Sequence, residues 1–465
     1  MHSRGTVASS LLASALRRMR GVALACTLLS TPACTLDAHD LDAFRTTASG
    51  PDKLKALVED PARAPDLRAE AALRLLDLAR RDVDGRALLL QALGKLDAHA
   101  LAALAPTFTR GLSVRMQTPE GAAPSEAAAR AKDTGVKLLS MLEGEPRAAL
   151  GELLLRWMGA DPDRRGACGE LSLEEVAARV GPDSGRVSAE SLRPALTPAA
   201  LTRLTETVHQ HADSETRALA ASKVVAVEHA YRTQPERETA LVTHVLPALG
   251  RLADTEPART RLIAIAADTA KSPVERRLAL ERLEGHVTRA ELSTLATIAA
   301  DGQTPLELRE LSLARLRELR DPEVLPTLIF LSGERTLRSL RQPAAELAIE
   351  LGGERALASV LRSLPHHWNV TYAKSELDAY AERVLRLPVT PQLTALLGAK
   401  LYSIFWWSRV IAIRYFAQRA DPVDATWRLR LHVEDRQEIL GEGWPAKHTV
   451  GREANAALRA VTSRS

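Results

Sequence analysis

Six stretches of the chain share one pattern of polar and apolar positions. An arginine is followed by a small residue three positions later, and by apolar residues four and seven positions later. Offsets of three, four and seven fall on one face of an α-helix, so each stretch predicts an amphipathic helix. The small residue would let a neighbouring helix approach closely. The six arginines are Arg68, Arg217, Arg276, Arg309, Arg341 and Arg409.

The spacing of the pattern indicates a repeat. From Arg217 onward the arginines are 59, 33, 32 and 68 residues apart, and the last interval is twice 34. A unit of thirty-odd residues is long enough for two short antiparallel helices and their turns. The pattern therefore predicts an array of helix pairs rather than one large hydrophobic core.

Helix start and stop signals repeat with the same period. Ser272-Pro-Val-Glu275 and Thr304-Pro-Leu-Glu307 are capping boxes with proline at the first helical position, and Thr288-Arg-Ala-Glu291 is a further box. Asp321-Pro starts a helix, and the pair Gly352-Gly353 ends one. One unit is thus predicted as a helix over 321–332, a turn and a helix over 336–351.

This combination of a proline-started first helix and a second helix carrying Arg-x-x-Ala-Ala resembles the HEAT-repeat family. The resemblance is clear over 272–364, fair over 55–105 and 212–232, and weaker over 401–432. It implies an all-α fold, a right-handed α-solenoid of HEAT-like antiparallel helix pairs. Such a stack is usually a protein-binding surface and sometimes an enzyme subunit. Neighbouring units are expected to stack because one helix pair cannot bury its apolar face alone.

The predicted organisation has five parts. A signal peptide covers 1–33, and a linker with the first HEAT-like helices covers 34–112. Residues 113–200 lose the period and are either irregular repeats, which we favour, or a helical insertion. The repeat array proper covers 201–420, and capping helices cover 421–465.

The N-terminal residues predict export. Arg17, Arg18 and Arg20 precede an uncharged stretch over 21–30, which is far shorter than the roughly 20 residues of a membrane-spanning helix. The following Thr31-Pro-Ala-Cys34 resembles a bacterial lipobox, which implies lipidation at Cys34. We expect an outer membrane lipoprotein facing the periplasm or the cell surface, with a soluble periplasmic protein as the alternative. Membrane contact would then occur only through the lipid anchor.

Composition narrows the class of partner. The chain has 62 basic and 58 acidic residues, interspersed along the predicted helices. Nucleic-acid binders usually concentrate basic residues in a patch or stripe, so no nucleic-acid partner is predicted. A DNA-handling solenoid stays open as an alternative because of the tryptophans and the pI near 9.0.

Aromatic residues concentrate toward the C-terminus, where eleven of the 16 lie at or beyond Trp368. They either close the end of the stack or form a partner-binding surface, since tryptophan and tyrosine are frequent in binding hot spots. The candidate partner-binding residues are Phe405, Trp406, Trp407, Trp427 and Trp444.

Catalytic chemistry has little support in the sequence. No phosphate-binding glycine loop, nucleophile elbow or zincin motif is found, and no cofactor, metal or small-molecule substrate is predicted. His209 and His211 are two positions apart and point in nearly opposite directions on a helix. The alternative is a hydrolase or lyase using the Asp/Arg-rich break near 159–169, where Cys168 lies beside Arg164 and Arg165. The favoured expectation is a non-enzymatic, envelope-anchored protein-binding scaffold.

Overall fold

The computed structural model describes residues 38–78, 80, 82–333, 337–365 and 371–463. Over these residues the regular secondary structure is helical, apart from an isolated antiparallel bridge between Glu438 and Thr449. The helices form two compact units that divide between Val187 and Ser188. Cys34 and the predicted signal peptide over 1–33 lie outside the described residues.

The first unit contains eight helices within the described residues, which alternate between two layers. Helices α2 and α4 pack together, as do α6 and α8, while α3 packs on α5 and α5 on α7. This alternation continues through residues 113–187, where the sequence period is lost. The helices are α1 Ala38–Phe44, α2 Gly50–Glu59, α3 Pro65–Leu76, α4 Gly85–Leu93, α5 Ala98–Arg115, α6 Glu126–Leu139, α7 Gly144–Ala160 and α8 Leu173–Val180.

The next helix, α9 Pro182–Ser191, spans the division between the units. The remaining described helices belong to the second unit, which also contains 3-10 turns at Pro235–Arg237, Arg289–Glu291 and Pro322–Val324 and a π turn at Leu241–Val245. They are α10 Pro198–His211, α11 Ser214–Arg232, α12 Glu238–Ala240, α13 Leu246–Arg251, α14 Glu256–Ala267, α15 Pro273–Arg282, α16 Leu292–Ala300, α17 Leu306–Leu319, α18 Leu325–Ser332, α19 Arg338–Ser363, α20 Lys374–Leu385, α21 Pro391–Lys400, α22 Trp406–Gln418, α23 Pro422–Arg430 and α24 Val450–Thr462.

Two layers also run through the second unit. One layer stacks α11, α14, α16 and α18, and the other stacks α13, α15, α17 and α19. Further along, α20 packs on α19, α22 on α20 and α24 on α22. Second-layer helices begin at Pro273, Leu306, Arg338, Lys374 and Trp406, a spacing of 32 to 36 residues. The all-α solenoid of helix pairs predicted from the sequence is confirmed.

The repeated face is the buried face of its helices. Each of the six arginines is the fourth residue of a helix. The small and apolar positions that follow are at most 2% exposed in all six stretches. The small positions are Ala71, Ala220, Ala279, Ser312, Ala344 and Ala412.

Three of the arginines make the same hydrogen bond. The Nε atoms of Arg68, Arg276 and Arg309 donate to the carbonyl ten residues earlier, at Val58, Ala266 and Ala299, over 3.0, 2.8 and 2.9 Å. Each acceptor lies in the last turn of the preceding helix, where carbonyl groups lack partners within the helix and the dipole favours a cation. The arginine therefore joins the two helices of one pair.

The other three arginines differ, which corrects the expectation that the pattern marks equivalent positions. Arg217 lies on α11, in the first layer, and its guanidinium donates to Ala212 at the end of α10 over 3.2 Å. The Arg341 guanidinium binds Glu376 of the following pair. Arg409 contacts Asp435 and Gln437 in the loop after α23.

Helix α19 consists of two consecutive helices that meet at a glycine. Gly353 has φ 60° and ψ −144° and forms a kink between the second helix of one pair and the first helix of the next. Because L-residues with side chains rarely adopt this conformation, glycine is required here. The pair Gly352-Gly353 thus ends the helix as the sequence predicts.

Candidate functional site

Most aromatic side chains of the C-terminal region form a core. Trp406 and Trp407 are 3% and 1% exposed, and their rings lie 6.1 and 5.6 Å from the ring of Tyr372. This corrects the expectation that Trp406 and Trp407 face a partner. Their side chains instead fill the space between α22 and the segment before α20.

Phe405 and Trp444 are half-buried at the edge of this core. The Phe405 ring stacks on Trp407 at 5.9 Å. The Trp444 indole N–H donates to the Tyr372 carbonyl over 3.0 Å, and its ring lies between the cations of Lys374 and Arg414. Trp444 therefore holds the C-terminal loop against the helices, whereas Phe405 covers one face of Trp407.

A buried ion pair links two successive helix pairs beside this core. The Arg341 guanidinium donates to both oxygens of Glu376 over 2.7 and 2.8 Å, and the Tyr380 hydroxyl donates to Glu376 Oε1 over 2.7 Å. Burial raises the pKa of Tyr372 and Tyr380, and the nearby Glu376 charge adds to this effect for both. Burial opposes the charge on Arg341, but the hydrogen bonds and charge of Glu376 raise its pKa overall. All four side chains are closed to solvent and hold the fold together.

Trp427 is different because it lies on the surface. Together with Val423 and Leu431 it forms an apolar row along α23 and its C-terminal end, here called the outer row. The three residues are 78%, 59% and 56% exposed in chain order. The other face of α23, with Ala425 and Leu429, is buried against the stack. The helix thus has two apolar faces, and the core covers only one.

A groove of about 510 Å³ follows the outer row, lined also by Pro422, Thr426 and Arg430. Arg430 is exposed, and its guanidinium makes no hydrogen bond or ion pair within the described residues. Two positions earlier, Arg428 is bound to Asp424 over 2.9 Å and lies against Phe416. The groove therefore combines an apolar floor with one free guanidinium.

The apolar surface continues into the turn before α22. Tyr402 is exposed, and its ring lies 5.2 Å from that of His432, which follows Leu431. Ile404 is 80% exposed in the same turn. In the sequence this surface is indicated by spacing, since Val423, Trp427 and Leu431 recur every four residues, on a different face from Ala425 and Leu429.

The Asp/Arg-rich break near 159–169 is a loop that hydrogen bonds hold against a second loop. The Arg164 guanidinium donates to the Gly121 carbonyl, and Arg165 donates to Thr118 over 2.8 Å while lying over the Trp157 ring. Burial raises the pKa of the Cys168 thiol, and the Lys132 charge only partly opposes this. These residues connect two loops, and the thiol is less ionised than a free cysteine.

The sequence did not reveal what anchors this loop. Lys132 is fully buried, and its ammonium donates to the carbonyls of Cys168 and Leu171 and pairs with Asp133 at 3.0 Å. Asp133 accepts from the Glu170 N–H over 2.9 Å. A Cβ at Gly169 would lie 2.6 Å from both carboxylate oxygens of Asp133, so glycine is needed there. An adjacent Lys-Asp pair in a helix normally lies in solvent, which is why the sequence gives no signal.

Within the described ranges, no group of three or more His, Cys, Asp or Glu side chains could hold a metal ion. None of the described helices is long and apolar enough to cross a membrane. His209 and His211 lie in the last turn of α10.

The packing defines the chain as an all-α helical-repeat protein, a solenoid of antiparallel helix pairs. It matches no family model and no curated protein. Among solved structures, it is similar to Kap121p at 13% identity and a TM-score of 0.38, covering 99% of this chain but 48%, about half, of Kap121p. The RNA-binding domain of yeast Puf5p bound to MFA2 RNA has 13% identity and a TM-score of 0.28, over 84% of this chain and 98% of that one.

Human deoxyhypusine hydroxylase has 16% identity and a TM-score of 0.19, over 80% of this chain and 94% of that one. Scores this low carry no functional argument. We therefore assign the solenoid architecture from the packing of the helices alone.

Proposed function

We propose that this protein is a binding scaffold that holds a protein partner through the outer row of Val423, Trp427 and Leu431. The carrying observation is that Trp427 and its two neighbours remain on the surface although Trp406, Trp407 and Tyr372 are buried nearby. Tryptophan in an apolar groove is a frequent centre of binding energy in protein interfaces. A helical-repeat array is well suited to this role because its layered helices expose long surfaces.

We also propose that the protein is not an enzyme. The loop over 159–169, which the enzyme alternative requires, uses Arg164 and Arg165 to bind backbone carbonyls. Its cysteine thiol has a raised pKa, the opposite of what an active nucleophile needs. Both observations favour a structural role for this loop.

Photocrosslinking in cells tests the docking site. A photoreactive phenylalanine derivative is placed in turn at Val423, Trp427 and Leu431, with Phe330 as the control because it is an aromatic residue of similar exposure elsewhere in the same unit. We expect one and the same crosslinked protein from all three outer-row positions and none from Phe330. The same product from Phe330, or no product from any outer-row position, would contradict the proposal.

The second part of the proposal is the location. The lipobox-like segment ending at Cys34 supports an anchor in the outer membrane, with the repeats facing the periplasm or the cell surface. Because one acyl chain binds a membrane only marginally, a stable anchor needs the several chains of a lipoprotein.

Metabolic labelling with a fatty-acid analogue measures this directly. We expect the full-length chain to carry the label in the membrane fraction and Cys34→Ala to lose both label and membrane association. Export of an unlabelled, soluble wild-type chain would support the periplasmic alternative, and an uncleaved cytoplasmic chain would contradict export altogether.

A further inference from the structure

The chemistry of the outer-row groove allows its partner to be described more closely, and this step rests on the proposed function. Val423, Trp427 and Leu431 are four residues apart, so they form one straight row about 12 Å long at roughly 1.5 Å per helical residue. A row of this length and spacing matches two turns of a second amphipathic helix, whose own apolar residues repeat every three or four positions.

The groove also has a definite charge. Arg430 contributes the single charged side chain of the lining, and it is unpaired within the described residues. Arg428 on the same helix is already bound to Asp424, so it does not add a free charge. An exposed guanidinium beside an apolar floor favours a carboxylate, which arginine can bind with two parallel hydrogen bonds.

The neighbouring histidine does not change this charge balance at neutral pH. His432 is 8% exposed, and its Nε2 atom has no hydrogen-bond partner within the described part of the chain. Burial lowers the pKa of His432, with Asp435 opposing and Arg409 reinforcing the shift. The lowered pKa favours the uncharged ring, so His432 does not add to the positive charge of Arg430.

We propose that the outer-row groove binds an amphipathic α-helix of a partner protein that carries an aspartate or glutamate beside its apolar ridge, placed against Arg430. The apolar ridge supplies affinity by covering Trp427. The carboxylate supplies orientation and selectivity, since a basic helix would be repelled from the same groove.

Selection from a displayed library of amphipathic helices tests this chemistry without knowledge of the natural partner. The library keeps a fixed apolar ridge and randomises the flanking positions, and it is selected on the full-length protein. We expect Asp and Glu to be enriched at least ten-fold at one flanking position on wild type. On Arg430→Glu the enrichment should change to Lys and Arg, and on Trp427→Ala it should disappear.

Arg436→Glu is the matched control, because Arg436 is exposed and close in sequence but outside the groove lining. It should give the wild-type result, and each variant is first shown to keep wild-type helical circular dichroism. Failure to enrich any helix above the Trp427→Ala background, or enrichment that is indifferent to Arg430→Glu, would overturn the proposal.

Two further outcomes separate this proposal from the proposed function. Concentration-dependent self-association that Trp427→Ala abolishes would mean that a second copy occupies the groove, and the acidic helix would be rejected. If the outer-row positions crosslink one partner in cells but the library shows no charge preference, the scaffold stands and the acidic chemistry fails.

Discussion

The arginine at the fourth position of a helix shows how one residue can stabilise the packing of two helices. Arg276 is 6% exposed, and its Nε–H satisfies a carbonyl of Ala266 that has no partner within its own helix. Arg277 comes next in sequence but points outward, where it pairs with Glu307 and Glu281. The two adjacent arginines differ mainly in burial, so they provide a direct comparison.

Replacing each of these arginines by methionine should therefore have unequal effects. Arg276→Met keeps an apolar stem but leaves a buried carbonyl unpaired, which costs about 1–3 kcal/mol. Arg277→Met removes only solvent-exposed ion pairs and should leave the free energy of unfolding nearly unchanged. Urea denaturation followed by circular dichroism measures both free energies of unfolding, and equal losses would contradict the capping role of Arg276.

Burial of the repeated face could be predicted at this scale, but the partners of the charged groups could not. The residues at offsets of three, four and seven are buried in all six stretches. Arg341 starts the same pattern of small and apolar positions as Arg276, yet it binds Glu376, 35 residues later. Such a partner depends on which unit follows, and one local motif contains no information about that.

At the scale of helices, the capping boxes predicted from the sequence form where no other side chain competes for the capping hydroxyl. Ser272 and Thr288 form complete capping boxes with Glu275 and Glu291. Thr304 does not, because its hydroxyl binds Asp301 and Pro305 takes the capping position of α17. A nearby carboxylate was enough to remove the box, and the helix begins at Leu306, one residue later than predicted from the sequence.

The kink at Gly353 gives a prediction at the same scale. A Cβ there would meet no atom within 4 Å, so Gly353→Ala is disfavoured by backbone conformation alone. We expect a loss of about 1–3 kcal/mol in the free energy of unfolding.

Gly302→Ala is the control, because it has equal space and no positive φ. It should be neutral or slightly stabilising, since alanine restricts the unfolded chain. Thermal denaturation of both variants measures the difference, and a Gly353→Ala variant as stable as Gly302→Ala would show that the two helices do not need the kink.

For the whole molecule, the spacing of the pattern predicted the solenoid, whereas surface properties were harder to infer. Aromatic enrichment drew attention to the C-terminal region, but it could not separate the buried Trp406 from the exposed Trp427. Arg217 matched the local pattern while lying in the other layer. In each case the deciding factor is which helix packs on which, and that is a property of several units together.

The distribution of charge argues against nucleic-acid binding and gives the last prediction. Many arginines pair with carboxylates of the neighbouring helix pair, as Arg277 does with Glu307 and Arg289 with Glu323. Phosphate binding needs free cations in a row, and these cations are locally neutralised.

We expect no saturable binding of a labelled 20-residue RNA or duplex DNA below about 100 µM at 150 mM NaCl, the weak limit of non-specific binding. The double variant Glu307→Gln/Glu323→Gln should gain binding that falls steeply with salt, because it removes two negative charges and leaves Arg277 and Arg289 with one carboxylate partner each. Fluorescence anisotropy measures both proteins. Micromolar binding by the wild-type chain would show instead that a nucleic acid can displace these carboxylates.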